Sequence, residues 1–283
     1  MNYSKVNNIV GWICFLIATI TYVLTLEPSA SFWDCGEFIA SAFRMQVVHQ
    51  PGAPLFLMIQ RFFSVFAAGD LTRIAYWMNI GSAISSAATI LFLFWTITAL
   101  AKKTIVKAGE QLTTGNLISI MGAGAVGALA YTFSDSFWFS AVESEVYAQS
   151  SLFTAIVFWA ILKWEAHADE PKADRWLLFI AYIMGLSIGI HLLNLLTIPA
   201  LAFIYYFKRT GKATTSGIVK TLVVGILILA VIQYGIIQYL VSFGAYFDLF
   251  FVNTLGLGFG TGVLFFAILL IAALVWGIRY SIK

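Results

Sequence analysis

Charge is what this sequence has least of: 16 Lys and Arg and 13 Asp and Glu in 283 residues, leaving a net charge of +3. So small a surplus, held in short clusters between apolar runs, lacks the basic stripe of a nucleic-acid binder and reports membrane topology instead. Histidine is scarcer still. His49, His167 and His191 stand without an H-x-x-x-H or C-x-x-C pattern, so no zinc signature is present. No glycine-rich phosphate loop follows a strand pattern, and the Gly122 to Gly127 run lies inside an apolar stretch, which argues against nucleotide chemistry. Cys14 and Cys35 are the two cysteines; along a helix they would lie roughly 30 Å apart, too far to pair with each other. With no Pro/Ser-rich linker, low-complexity tract or internal repeat, residues 1–283 read as one transmembrane domain.

What the sequence has in abundance is apolar surface. Hydrophobic residues make up 61% of it, including 25 Phe, 12 Tyr and nine Trp, and the mean hydropathy is +0.91. These values describe a polytopic integral membrane protein. In lipid every backbone polar group must be satisfied internally, and apolar runs of about 18–25 residues suit helices rather than barrel strands. The expected fold class is therefore all-α.

Residues 9–26 form the first run, preceded by Lys5 and followed by no small-x-small cleavage site, so it reads as a retained anchor with its N-terminus in the cytoplasm. Residues 54–68 are too short for a comfortable span and carry Arg61, which at the bilayer centre costs about 2.5–3.5 kcal/mol. Counting them as a span would also put Lys102, Lys103 and Lys107 outside. They read instead as an outer-face juxtamembrane helix within an extracytoplasmic segment, 27–75. Alternation then gives spans at 76–100, 117–133, 146–162, 176–190, 195–207, 218–241 and 260–278. The total is about eight, with both termini and the main Lys/Arg clusters on one side. Small residues at Gly81 to Ala87 and Met121 to Ala128 permit close helix packing.

Three outer-face segments carry polar residues that a bland loop does not need. In the first, Asp34 and Glu37 share a helix face at i, i+3, with Ser31 as a candidate N-cap. Two carboxylates so close raise at least one pKa, as general base catalysis requires, but loop carboxylates solvated at the headgroups or paired with Arg44 fit the same spacing. His49 opens a turn in which Pro51 and Pro54 bias Gln50 and Ala53 to extended geometry; it is a site histidine or a surface one. Arg61 and Arg73 suit a lipid-linked phosphate or plain headgroup anchoring. In the second segment, Glu143 and Glu145 alternate beside Tyr147, so an extended backbone points both carboxylates one way. In the third, His191 and Asn194 read as a buried hydrogen-bonded pair or a cavity wall. A divalent metal on Asp34, Glu37 or Glu145 is allowed by the donor types but not indicated, and no cofactor is called for.

The order WDCGEF after the first span, then VHQPGAPLFLMIQRFF with Arg73, then SDSFWFSAVESEVYAQ, resembles the GT-C superfamily of polyprenyl-phosphate-sugar-dependent glycosyltransferases. It is most similar to a branch of large bacterial membrane proteins, known as a domain of unknown function, that includes an animal membrane O-mannosyltransferase. The resemblance implies a sugar, mannose above all, moved from a polyprenyl-phosphate donor to Ser/Thr hydroxyls of an extracytoplasmic protein acceptor. Asp34 is then the general base and Glu37 its neighbour, His49 and Arg73 lie near the donor phosphate, and Glu145 faces the site; Arg61 joins the donor-phosphate group by its place on the outer-face helix. Membrane lipids are the remaining partner. The setting implied is a bacterial inner membrane with the active site on the periplasmic face.

This sequence departs from the GT-C pattern in spacing its acidic residues and in reading Q-P-G-A-P at the turn. Relatives usually continue into further spans and a soluble region, which would make the chain part of a longer protein. The reading from another class is a non-catalytic membrane transporter or a scaffold of an envelope or secretion complex. A transporter predicts charges in mid-span, and these spans hold almost none.

Overall fold

A computed structural model describes residues 2–107 and 109–282. The described residues are helical and contain no strand. The helices are α1 (Tyr3–Leu24), α2 (Cys35–Arg44), α3 (Pro54–Ser64), α4 (Ile74–Ile105), α5 (Thr114–Thr132), α6 (Asp135–Ala141), α7 (Val146–His167), α8 (Arg175–Ile188), α9 (Ile198–Thr210), α10 (Thr215–Ala230), α11 (Leu240–Asn253) and α12 (Thr261–Ile282). They form two compact units, Met1–Ala213 and Thr214–Lys283.

Among the described residues six helical stretches are long and apolar enough to cross a membrane: Tyr3–Leu24, Leu71–Ile105, Thr114–Thr132, Val146–His167, Thr215–Gln238 and Thr261–Ser281. The chain is thus an all-α polytopic membrane protein. Stretch 54–68 is short, as expected, because Pro54 starts α3 and the left-handed Ala68 follows the 3-10 turn that ends it. The hairpin helices expected at 176–190 and 195–207 are also short: α8 has 14 residues, a 3-10 stretch Leu192–Thr197 follows, and α9 has 13. The expected span 218–241 ends sooner, passing through a π-helical stretch Val231–Gln238, and α11 then occupies ground read as a connection.

In the first unit α1, α4 and α5 share a core. Cys14, Ala18 and Tyr22 pack with Ala83, Ala87, Ile90 and Phe94 of α4 and with Ile120, Met121 and Ala128 of α5. The small residues of α4 are buried as the sequence pattern predicts, Gly81, Ser82, Ala83, Ser85, Ser86 and Ala87 among them. Gly124 shows why a side chain is excluded at the α4–α5 contact: a Cβ there would stand 2.5 Å from Thr98 Cγ2 and 2.8 Å from Phe94 Cε2. Ser85 and Thr89 of α4 satisfy their hydroxyls on the preceding turn, Ser85 donating to the Gly81 carbonyl at 2.8 Å and Thr89 to the Ser85 carbonyl at 3.0 Å. Both cysteines are free and buried.

Polar contacts gather the connections at one end of this bundle. Asn79 of α4 donates to the carbonyls of Glu27 (2.8 Å) and Ser29 (3.1 Å). The Glu27 N–H donates to the Val142 carbonyl at 3.2 Å, and the Trp138 indole to Thr25 at 2.9 Å. Leu55 and Phe56 N–H groups both reach the Gly189 carbonyl, at 2.7 and 3.1 Å. The second unit is built locally: Asp248 of α11 accepts from the N–H groups of Gly260 and Gly262 at the start of α12, at 3.1 and 3.0 Å.

Candidate functional site

The site lies at the end where those connections meet. Helix α2 begins at Cys35 with Asp34 as its N-cap residue, and no side chain caps it. Ser31 is therefore not the cap the spacing suggested. Its hydroxyl lies instead beside the Glu143 carboxyl, together with the Cys35 thiol.

Glu37, one turn into α2, is bound to His49 twice. The His49 backbone N–H donates to Glu37 Oε1 at 2.7 Å, and Nδ1 of the ring lies 2.8 Å from Oε2. This engages Nδ1 and leaves Nε2 on the side of Asp34, whose Oδ2 is 3.8 Å away. The acidic pair thus meets a histidine rather than Arg44. The hydrogen bond to Glu37 raises the His49 pKa, and the same bond lowers that of Glu37.

The turn after His49 is closed by the Gly52 N–H on the His49 carbonyl at 2.9 Å, with a cis Gln50–Pro51 bond. Ala53 is left-handed, φ 37° and ψ 50°, not extended as its position before proline predicts. The two bonds from Leu55 and Phe56 to Gly189 fix the chain there, so tertiary contact overrides the local preference.

Glu143 and Glu145 flank a bend rather than an extended strand, the Glu145 N–H returning to the Glu143 carbonyl at 3.0 Å. Glu143 meets Ser31 and Cys35, and its Oε2 has no hydrogen-bond partner among the described residues. Glu145 caps α7, accepting from the Val146 N–H at 3.1 Å. Both glutamates are buried, at 4% and 6% exposure, where the sequence suggested open loop. Burial pushes both carboxyls up, that of Glu145 to about 7, and it pushes the Cys35 thiol up beside them.

A cavity of about 140 Å³ collects these parts. Asp34 and the turn from Val48 to Ala53 form one wall, Glu145 and Tyr147 a second, Ile190 and His191 a third. All three polar segments contribute. His191 does not bond to Asn194: its Nδ1 accepts from the Leu193 N–H at 3.1 Å, and Asn194 donates to Ser187 at 3.0 Å. Burial lowers the His191 pKa, and its ring lies 5.4 Å from that of Tyr147. The two arginines lie outside the lining. Arg61 sits over Phe43 at 4.9 Å and donates to Ser64 at 3.3 Å, while Arg73 sits over Tyr76 at 5.9 Å.

Asp34, Glu37 and His49 offer ligand atoms all within 4.8 Å of one another, two carboxylates and an imidazole that suit a divalent cation by donor type. Sequence reasoning missed the Glu37–His49 pair and a layer of buried polar atoms behind Glu145. Ser144, Gln149 and Ser150 are almost fully buried, and their side-chain polar atoms have no hydrogen-bond partner among the described residues. The available signal was Gln149, four residues after Glu145 on one helix face at the mouth of an apolar span.

Fold and site together define a polytopic helical membrane protein with a carboxylate and histidine cavity at one end of its bundle. Residues 34–214 match the model of the N-terminal domain of protein O-mannosyl-transferase TMEM260, and the chain belongs to that family. It is 24% identical over 220 residues to protein O-mannosyl-transferase tmem260 of Dictyostelium discoideum, covering 74% of this chain and 25% of that protein. To the mouse protein O-mannosyl-transferase TMEM260 it is 27% identical over 185 residues, 65% of this chain and 23% of that protein. The chain thus spans about a quarter of the length of these relatives. No solved structure matches it significantly.

Proposed function

We propose that this chain forms the membrane-embedded catalytic domain of a protein O-mannosyltransferase, 1–283 acting as one GT-C-like unit with 27–75 on the extracytoplasmic side. It takes mannose from a polyprenyl-phosphate donor and passes it to a Ser/Thr hydroxyl of an extracytoplasmic protein. The observation that carries this reading is the meeting of Asp34, His49 and Glu145 around one cavity, in a chain whose family bears that activity in its name.

The step is a displacement with inversion. The acceptor oxygen attacks C1 of the sugar as its proton passes to the Asp34 carboxylate. The bond from C1 to the phosphate oxygen breaks, and polyprenyl phosphate leaves with the electron pair. Asp34 suits the base role because its side chain is 56% exposed at the mouth, open to an arriving peptide. Glu37 acts through His49: by holding Nδ1 it favours the imidazolium, a cation aimed past Asp34 at the leaving phosphate. Arg73 and, less directly, Arg61 supply guanidinium groups for the same phosphate from the headgroup layer. Glu143, Glu145, Tyr147 and His191 line or back the acceptor side. A positioned base contributes roughly 10²- to 10⁴-fold in rate.

The test is transfer of labelled mannose from a polyprenyl-phosphate donor to protein in membranes expressing the full-length protein. Transfer that disappears with Asp34→Asn supports the reading; full transfer by that variant, or none by the wild type with any such donor, sinks it.

A further inference from the structure

The other end of the first unit carries a second and larger cleft that the chemistry above does not use. Its volume is about 640 Å³, and it opens between the first turn of α1 and the last turns of α4 and α7. Trp95, Trp159, Ala99 and Leu162 give it an apolar wall, and Lys102, Lys103 and Lys163 give it a cationic rim.

The lysines are not equivalent. Lys103 forms an ion pair with Glu165. Lys102 Nζ stands 4.5 Å from the centre of the Tyr3 ring and Lys163 Nζ 5.5 Å from that of Trp159. Among the described residues neither of these two has an ion-pair partner. Beyond Trp159 a shallower depression adds Lys172, Arg175 and Trp176.

Position along α7 gives the cleft its setting. Glu145 caps the helix at one end and Lys163 lies 18 residues further on, a rise of about 27 Å. The hydrocarbon core of a bilayer is about 30 Å thick, so cleft and catalytic cavity open at opposite interfaces. A soluble anion leaves the tryptophan wall without use, and a zwitterionic lipid leaves surplus positive charge on the rim. An anionic phospholipid uses both, its phosphate between Lys102 and Lys163 and its glycerol and upper acyl carbons against Trp95 and Trp159.

We propose that this cleft is a binding site for an anionic phospholipid, seated in the leaflet opposite the catalytic cavity and bridging α1, α4 and α7. The experiment is native mass spectrometry of the full-length protein in detergent with phosphatidylglycerol or phosphatidylcholine added. Phosphatidylglycerol adducts are expected to exceed phosphatidylcholine adducts by about tenfold at equal lipid. Replacing both Lys102→Ala and Lys163→Ala lowers phosphatidylglycerol affinity about twentyfold, while Lys107→Ala, outside the lining, leaves it unchanged. If the double variant does not fold, Lys102→Gln and Lys163→Gln are made singly, each costing about fivefold. Equal retention of the two lipids, or wild-type binding by folded lysine variants, overturns the proposal. Displacement of the lipid by millimolar inorganic phosphate also overturns it, by showing a soluble-anion site.

Discussion

Glu37 and His49 are joined by two hydrogen bonds, one from the His49 main chain at 2.7 Å and one through its ring at 2.8 Å. They fix both the position of the histidine and the nitrogen it presents. Because the carboxylate raises the His49 pKa, removing it lowers the pH at which the imidazolium is lost. The role proposed for a cationic His49 at the donor phosphate predicts that activity falls on the alkaline side as the ring deprotonates. The pH profile of mannosyl transfer for Glu37→Gln is expected to lose activity at lower pH than wild type; an unshifted alkaline limb refutes the role of the pair.

Asp34 and Glu145 face one cavity, and substitution tests the different tasks proposed for them. Asp34→Asn is expected to lower turnover by roughly 10²- to 10⁴-fold with donor binding nearly intact. Glu145→Gln, which keeps shape in a buried site, is expected to cost much less. Single-turnover transfer with saturating donor compares the two; the reverse order assigns the base to Glu145.

Glu145 also predicts how stability varies with pH. Its pKa is about 7 in the folded chain against an ordinary 4.5, because burial disfavours the charged form. Between those values the folded state holds more protons than the unfolded one, so stability falls as pH rises through that window. Glu143 acts in the same direction. Thermal unfolding in detergent at pH 5 and pH 8 is expected to show a smaller loss for Glu145→Gln than for wild type.

Two glycines of α5 make a paired test of packing. At Gly124 a Cβ meets Thr98 and Phe94, whereas at Gly122 nothing lies within 4 Å. Gly124→Ala is expected to destabilise the first unit by about 1–3 kcal/mol through overpacking. Gly122→Ala is expected to be neutral or stabilising by up to about 1 kcal/mol, through helix propensity alone. Unfolding midpoints in one detergent measure both.

Asn79 tests whether the first connection must be held down. Its amide supplies both bonds to the Glu27 and Ser29 carbonyls. Asn79→Ala is expected to lower transfer about tenfold or more, since a misplacement near 1 Å at the site costs about a hundredfold. Restoration by Asn79→Gln is not expected, because the longer side chain does not fit the same two acceptors in a buried position.

The sequence by itself determined the class of fold. Runs of apolar residues long enough for a bilayer, and charges clustered between them, dictate membrane helices. Proline fixed where the short helix at Pro54 begins, and the spacing of polar segments pointed to the connections at one end as the place to look for a site. The WDCGEF and HQPGAPLF wording pointed to the family. Local pattern failed where distant groups compete: Ala53 is left-handed because of Gly189, and Ser31 turns from capping α2 toward Glu143. His191 and Asn194, three residues apart and so within reach of each other on a helix face, take other partners. Only the tertiary structure decided that Glu37 belongs to His49, that Glu143 and Glu145 are buried with raised pKa values, and that α7 joins an acidic cavity to a lysine-rimmed cleft. Those outcomes depend on which polar groups reach each other across the bundle, and hydrophobic periodicity, which sets the helices, carries no information about that.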